Sequence, residues 1–181
     1  MPKTPPRTAL AEAALRSLAV RAGDHHRLTS AGSVVHRGRH QPTHRDTRNG
    51  NAVTDCVAVA ESFSTARLLA LRPKLRPHDV STWEKQRQEW RKHGPVDLHL
   101  WEDWPKLMGY VEVRNALQHG LGRLTDLQLE KIEKNQRQIL TWIKAASVQL
   151  NGPNIMLTDE DPIACSGVCS DFVRFLDAAA P

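Results

Sequence analysis

The segment Arg114-Asn115-Ala116-Leu117-Gln118-His119 gathers four side chains suited to chemistry at a phosphodiester. Arginine presents a fixed fork of donors to phosphate oxygens and keeps its charge at any working pH. Histidine titrates near neutrality and can move a proton to or from a hydroxyl. Asn115 and Gln118 carry amides that can orient a ribose or a phosphate. Glu112 lies close by in the chain but has no carboxylate partner at ligand spacing, so no Mg²⁺ site is expected. Cys165 and Cys169 lie four apart with no His-Cys set near them, and they read as small buried apolar residues rather than metal ligands. Neither a metal nor a cofactor is expected.

A helix from Pro105 to His119 has to position these residues. On a wheel at about 100° per residue, Tyr110, Val113, Leu117 and Leu121 fall within about 80° of one another and form a core stripe. A second arc starts apolar, with Leu107, Met108 and Val111. In its last turns it carries Arg114, Gln118, Asn115 and His119, in that angular order over about 140°. One face therefore changes from apolar to polar within a single helix, as expected where a partner contact adjoins a polar pocket. The same spacing also fits an ordinary exposed helix end, where a histidine suits the negative terminus of the helix dipole.

The elements around that helix read as an all-α bundle. Val53 to Leu71 is apolar nearly all round, as a central helix would be. Ser81-Thr82-Trp83-Glu84 has the form of a capping box opening a helix that carries Trp83 and Trp90. His93-Gly94-Pro95 then closes it. Asp103-Trp104-Pro105 starts the motif helix, with proline at or near its first position. Thr125 to Gln128 is a second capping box. It opens the longest expected helix, with Leu129, Ile132, Ile139, Ile143 and Ala146 on one seam and Gln136 as its polar exception. Asn151-Gly152-Pro153 is a turn and Ile155 to Leu157 a short extended piece. Asp161-Pro162 caps a last helix with Val168, Phe172, Phe175 and Leu176. No strand ladder and no repeat is visible.

Charge divides the chain. Residues 1–50 hold nine Lys/Arg against Glu12, Asp24 and Asp46, whereas the remainder is near neutral. Residues 1–51 are expected to be a basic, largely disordered tail with a short helix over 8–22, capped by Thr8 and stopped by Gly23. Asp24 to Asn51 has almost no large apolar side chains with which to offset its ordering entropy. The tail either attracts nucleic acid non-specifically or is a solvated arm. Its histidines, His25, His26, His36, His40 and His44, show no repeating ligand spacing. Three cysteines, an odd number, argue against a disulfide framework. No apolar run approaches the roughly 18 residues of a membrane span, and the N-terminus is a poor secretory signal, so a cytoplasmic location is expected.

Val111-Glu112-Val113-Arg114-Asn115-Ala116-Leu117-Gln118-His119-Gly120 resembles the signature of the HEPN superfamily, in which Arg, a polar residue that is often Asn, three residues and His close a long helix of a bundle. The buried helix before it, the lead-in His99-Leu100-Trp101-Glu102-Asp103-Trp104 and the trailing Gly120-Leu121-Gly122 fit too. The ending from Leu150 to Leu157 and on to Leu176 looks like the close of the RiboL-PSP-HEPN branch. The likeness covers about residues 50–178, with the helical domain expected over 52–178. It implies a homodimeric, metal-independent endoribonuclease with one composite site built from the motif helices of two subunits. Arg114 would neutralise the scissile phosphate, His119 would transfer the proton and Asn115 would position them. Gln118 and Arg123 are assigned to substrate binding, and Leu107, Met108 and Val111 to the dimer contact. RNA is the expected substrate, and an antitoxin or defence-system protein the expected partner class in a toxin–antitoxin, phage-defence or stress system. The other reading is a HEPN-like nucleotide- or RNA-binding or protein-interaction module without catalysis. Some family toxins carry tyrosine two residues after the histidine; Leu121 stands there, so regulation by modification at that position is not carried over.

Overall fold

The computed structural model describes residues 7–30, 44–93, 96–134 and 138–179. Among them are seven α-helices, two 3₁₀ turns and one small hairpin: α1 (Ala9–Ser30), α2 (His44–Leu71), the turns Pro77–Val80 and Leu98–Leu100 on either side of α3 (Trp83–His93), α4 (Trp104–His119), α5 (Asp126–Glu133), α6 (Gln138–Ala145), strands β1 (Gln149–Asn151) and β2 (Asn154–Met156), and α7 (Asp161–Ala179). The expected all-α class is what the chain adopts. No helix among the described residues is long and apolar enough to cross a membrane.

Helices α1, α2 and α7 pack on one another, while α4 lies between α2 and α6. The core is drawn from Val53, Val57 and Ala60 of α2, Leu107, Tyr110 and Val113 of α4, Ile139 and Ile143 of α6, and Phe172 and Leu176 of α7. Cys56, Cys165 and Cys169 are free and buried among them, as their spacing suggested for the last two. Burial pushes the Cys165 thiol well above its ordinary range. An aromatic cluster fixes the entry to α4. Trp83 meets Trp104 edge-on at 6.1 Å and Phe172 at 5.6 Å, and Trp101 stacks on Phe175 at 5.6 Å.

The N-terminal segment departs from its sequence reading. Helix α1 runs through Gly23 to Ser30, and Ala11, Leu18 and His25 form a buried stripe at heptad spacing. A glycine in a helix interior costs about 1 kcal/mol, and tertiary contacts override that cost here. Asp177 receives the Thr8 backbone N–H at 3.0 Å and its hydroxyl at 2.5 Å. At the other end, His25 Nε2 meets the Asp159 carbonyl at 3.0 Å. Helix α2 likewise begins at His44, well before Val53. Asn49 is fully buried and donates from Nδ2 to the Thr158 carbonyl at 2.9 Å and to Asp159 Oδ1 at 3.2 Å. Residues 7–30 and 44–51 are therefore part of the bundle, although their composition reads as a tail. The short buried stripe and two buried polar anchors do what large apolar side chains were absent to do. The rest of the expected tail, residues 1–6 and 31–43 with His36 and His40, lies outside the described residues, as do Gly94, Pro95 and Gln136.

Three smaller differences have local causes. The cap of α3 is Thr82, whose Oγ1 accepts from Lys85 N at 3.3 Å, one residue later than expected. The single long helix expected after Thr125 is instead α5 and α6, with Lys134 capping α5 through its N–H on the Glu130 carbonyl. The extended piece at 155 pairs with 149–151 as an antiparallel hairpin in the register Leu150 opposite Ile155, turned by Gly152 at a φ of 57°.

Because α1 is built into the core, Leu18→Ala should cost about 2–5 kcal/mol, the range for emptying a buried leucine site. Thermal unfolding followed by circular dichroism checks this; a midpoint unmoved by the substitution would mean that α1 does not contribute to the cooperative unit.

Candidate functional site

Helix α4 starts on Asp103 with Pro105 in its first turn and ends at Gly120. Most of its circumference is inside the protein. Leu107, Met108, Gly109, Tyr110, Val111, Val113 and Ala116 are all buried. The buried residues include the arc assigned to a dimer contact: Leu107 is 0% exposed, Met108 8% and Val111 4%, in a single chain with no partner present. Their apolar area is already removed from water by the chain's own packing, so they have none to offer a second subunit. The assignment of these three to an intersubunit face is thus corrected: they are core.

The polar quartet spreads across the last turns by depth. Arg114 and Asn115 are half-buried, whereas Gln118 and His119 are exposed. Arg114 reaches α2, where its Nη1 donates to Glu61 Oε2 at 2.9 Å, with each side chain 23% exposed. Its Nε is buried without a hydrogen-bond partner. Along an α-helix the five steps from Arg114 to His119 span about 7.5 Å of axis and about 140° of rotation. The arginine is therefore turned to α2 and the histidine to solvent, and α4 alone does not bring them to one point.

Past His119 the chain makes a tight turn. Gly120 and Gly122 both donate to the Ala116 carbonyl, at 2.9 and 3.1 Å, and Arg123 N donates to the Gly120 carbonyl at 2.9 Å. A Cβ at residue 120 would lie 1.8 Å from the Arg123 carbonyl oxygen, so only glycine fits this turn. Leu121, expected on the core stripe, is 96% exposed at a φ of 53°. The helix has ended before it, and the left-handed backbone swings its side chain outward. The hairpin holds the turn in place: Ile155 N donates to the Gly122 carbonyl and Leu124 N to the Pro153 carbonyl, both at 2.8 Å. Arg123 forms an isolated β-bridge with Asn154 and is exposed.

Glu112, the only carboxylate on α4, is engaged. Gln128 is buried, and its Nε2 donates to the Glu112 carbonyl at 3.0 Å and to Oε2 at 2.6 Å. Gln128 Oε1 simultaneously accepts from Thr125 N at 2.9 Å, completing the second expected capping box. One glutamine thus caps α5 and ties it to α4. No group of three His, Cys, Asp or Glu able to hold a metal stands together among the described residues. A groove of about 390 Å³ between α1 and α2, lined by residues such as Leu10, Arg21, Asp55 and Phe63, includes no motif residue.

Sequence reasoning missed Glu61. Its signal was a carboxylate inside the apolar run 53–71, where a buried-helix reading left it without a purpose. Compared with known family models, curated proteins and solved structures, the chain matches none. Geometry and the motif resemblance therefore carry the functional argument.

Gln128→Ala removes the side-chain half of the capping box and the link between helices at once, leaving Glu112 unanswered. The expected cost is about 1–3 kcal/mol, the range for orphaning a buried partner, read as a lowered denaturation midpoint.

Proposed function

We propose that this chain is a metal-independent endoribonuclease of the HEPN type that works as a homodimer in the cytoplasm, in a toxin–antitoxin, phage-defence or stress system with an antitoxin or defence protein as partner. The observation that carries the reading is the end of α4: an otherwise buried helix that finishes on a half-buried Arg114 held by a carboxylate and an exposed Gln118 and His119. In the proposed reaction, His119 takes the proton from the ribose 2′-OH, the 2′-oxygen attacks phosphorus as the P–O5′ bond breaks, and the imidazolium so formed returns the proton to the leaving 5′-oxygen. The products are a 2′,3′-cyclic phosphate and a 5′-hydroxyl. Arg114 neutralises charge on the non-bridging oxygens, Asn115 positions the pair, and Gln118 and Arg123 hold the RNA backbone.

The divergence of Arg114 and His119 around α4 supports a site completed by a second copy. Since Leu107, Met108 and Val111 are core, that contact uses exposed residues beside His119, among which Leu121 supplies apolar area. Leu121→Arg should therefore give monomer by light scattering with helical circular dichroism retained. A wild-type chain that is monomeric at micromolar concentration rules out the shared site.

A second reading, the non-catalytic binding or interaction module, is favoured by the Arg114–Glu61 ion pair, because an arginine already neutralised is what a purely structural link between helices would show.

Cleavage assays separate the two. His119→Ala should lower the rate on the order of 10²–10⁴-fold, the range for losing a general acid or base. Arg114→Ala should be comparably severe, and Arg114→Lys should rescue poorly because it keeps charge without the fork. Cleavage should persist in EDTA, and RNA with 2′-deoxy at the cut position should resist. Activity unchanged by His119→Ala, or abolished by chelation and restored by Mg²⁺, discards this mechanism in favour of the binding module.

A further inference from the structure

We infer that Glu61 occupies the place of a phosphate oxygen on Arg114, so that RNA must compete with a resident carboxylate for the guanidinium; this rests on the endoribonuclease reading of the same site. A guanidinium grips an oxyanion through two parallel N–H groups, along either its Nη1/Nη2 edge or its Nε/Nη2 edge. In Arg114 the second edge is compromised, because Nε is buried and makes no hydrogen bond. On the first edge Glu61 already holds one donor, with Oε2 at 2.9 Å from Nη1. A phosphodiester seeking a bidentate grip therefore meets an anionic acceptor already on one of the two donors it needs.

The partners are matched for this competition. Both side chains keep 23% of their surface open, which is enough for a ligand to approach. Their partial burial screens the pair less than open solvent would. Glu61 belongs to α2, whose adjacent residues Val57 and Ala60 are fully buried, so the carboxylate is delivered from a rigid element rather than a mobile loop. Its charge lowers the affinity of Arg114 for phosphate, while its hydrogen bond holds the guanidinium toward α2. Glutamine separates these roles: it keeps an oxygen acceptor for Nη1 and removes the negative charge.

The test measures binding apart from cleavage, using a fluorescein-labelled, fully 2′-O-methylated oligoribonucleotide that lacks the attacking hydroxyl. Glu61→Gln should bind it about three- to tenfold more tightly than wild type. Its salt dependence should steepen by about 0.7 in log–log slope, the value for one further phosphate contact on a single strand. Arg114→Ala should abolish the difference between Glu and Gln at 61. A purely structural ion pair would change the melting temperature but not the salt slope. Affinity and slope equal to wild type in a folded Glu61→Gln protein, or weaker binding, overturn the inference. If the Gln variant does not fold, Glu61→Asp serves, since it withdraws the carboxylate by one methylene; it should tighten binding to a smaller extent, and unchanged affinity there also overturns the inference. If wild type fails to cleave unmodified RNA while Glu61→Gln still tightens binding through Arg114, the nuclease reading falls and the competition stands. A wild-type chain that binds no RNA overturns both.

Discussion

Helix α4 can run where it does because residue 109 has no side chain. A Cβ on Gly109 would lie 2.2 Å from the Trp142 carbonyl oxygen and 2.8 Å from the Ala146 Cβ. That backbone contact seats α4 against α6, and the rest of the arrangement depends on it. With α6 on one side and α2 on the other, the apolar residues of α4 have nowhere to go but inward. The last turns of the helix, where the apolar pattern stops, then become the part that meets solvent. The placement of Arg114 toward α2 and His119 away from it follows from that seating and from helical rotation alone.

The same constraint explains why the apolar half of the divided face was misread. Leu107, Met108 and Val111 lie on an arc beside the Tyr110–Val113 stripe, and in a helix packed on one side only such an arc would be free for a partner. Here both arcs are covered by one chain, since a helix packed between neighbours buries apolar residues around most of its circumference. The residue types were legible, but the number of neighbours was not. The cap at Thr125, by contrast, was legible, because short-range hydrogen bonding decides the structure there. The cap at Ser81 slipped by one because two adjacent hydroxyl residues compete for the role.

Long-range polar anchoring was the least legible part. Nothing local in Asp24–Ser30 or His44–Asn51 announces a helix. Their order comes from Asn49, Arg48 and His25, which converge on the Thr158–Asp159 segment more than a hundred residues away. A buried asparagine with satisfied amide protons can fix an element as firmly as a leucine, because leaving those protons unpaired would be costly. Glu61 belongs to the same class of information. Its neighbours in sequence say only that it interrupts an apolar run, and its meaning depends on which helix lies across from it.

The division of the stretch after Thr125 into two helices sets the local stability of the site. Helices α5 and α6 have eight residues each, shorter than the roughly 12–15 an isolated helix needs to persist in water. α5 buries only Gln128 fully, while Leu127 is 62% exposed. Amide exchange in α5 should therefore report a low-energy opening that leaves α1, α2 and α7 intact. That opening would release Gln128 from Glu112 and slacken the turn that carries Arg123, whereas α6, pinned by Gly109, should exchange with the global unfolding of the bundle. The motif thus stands, among the described residues, between the packed α2 that holds its arginine and the turn leading to the short α5 that follows its histidine.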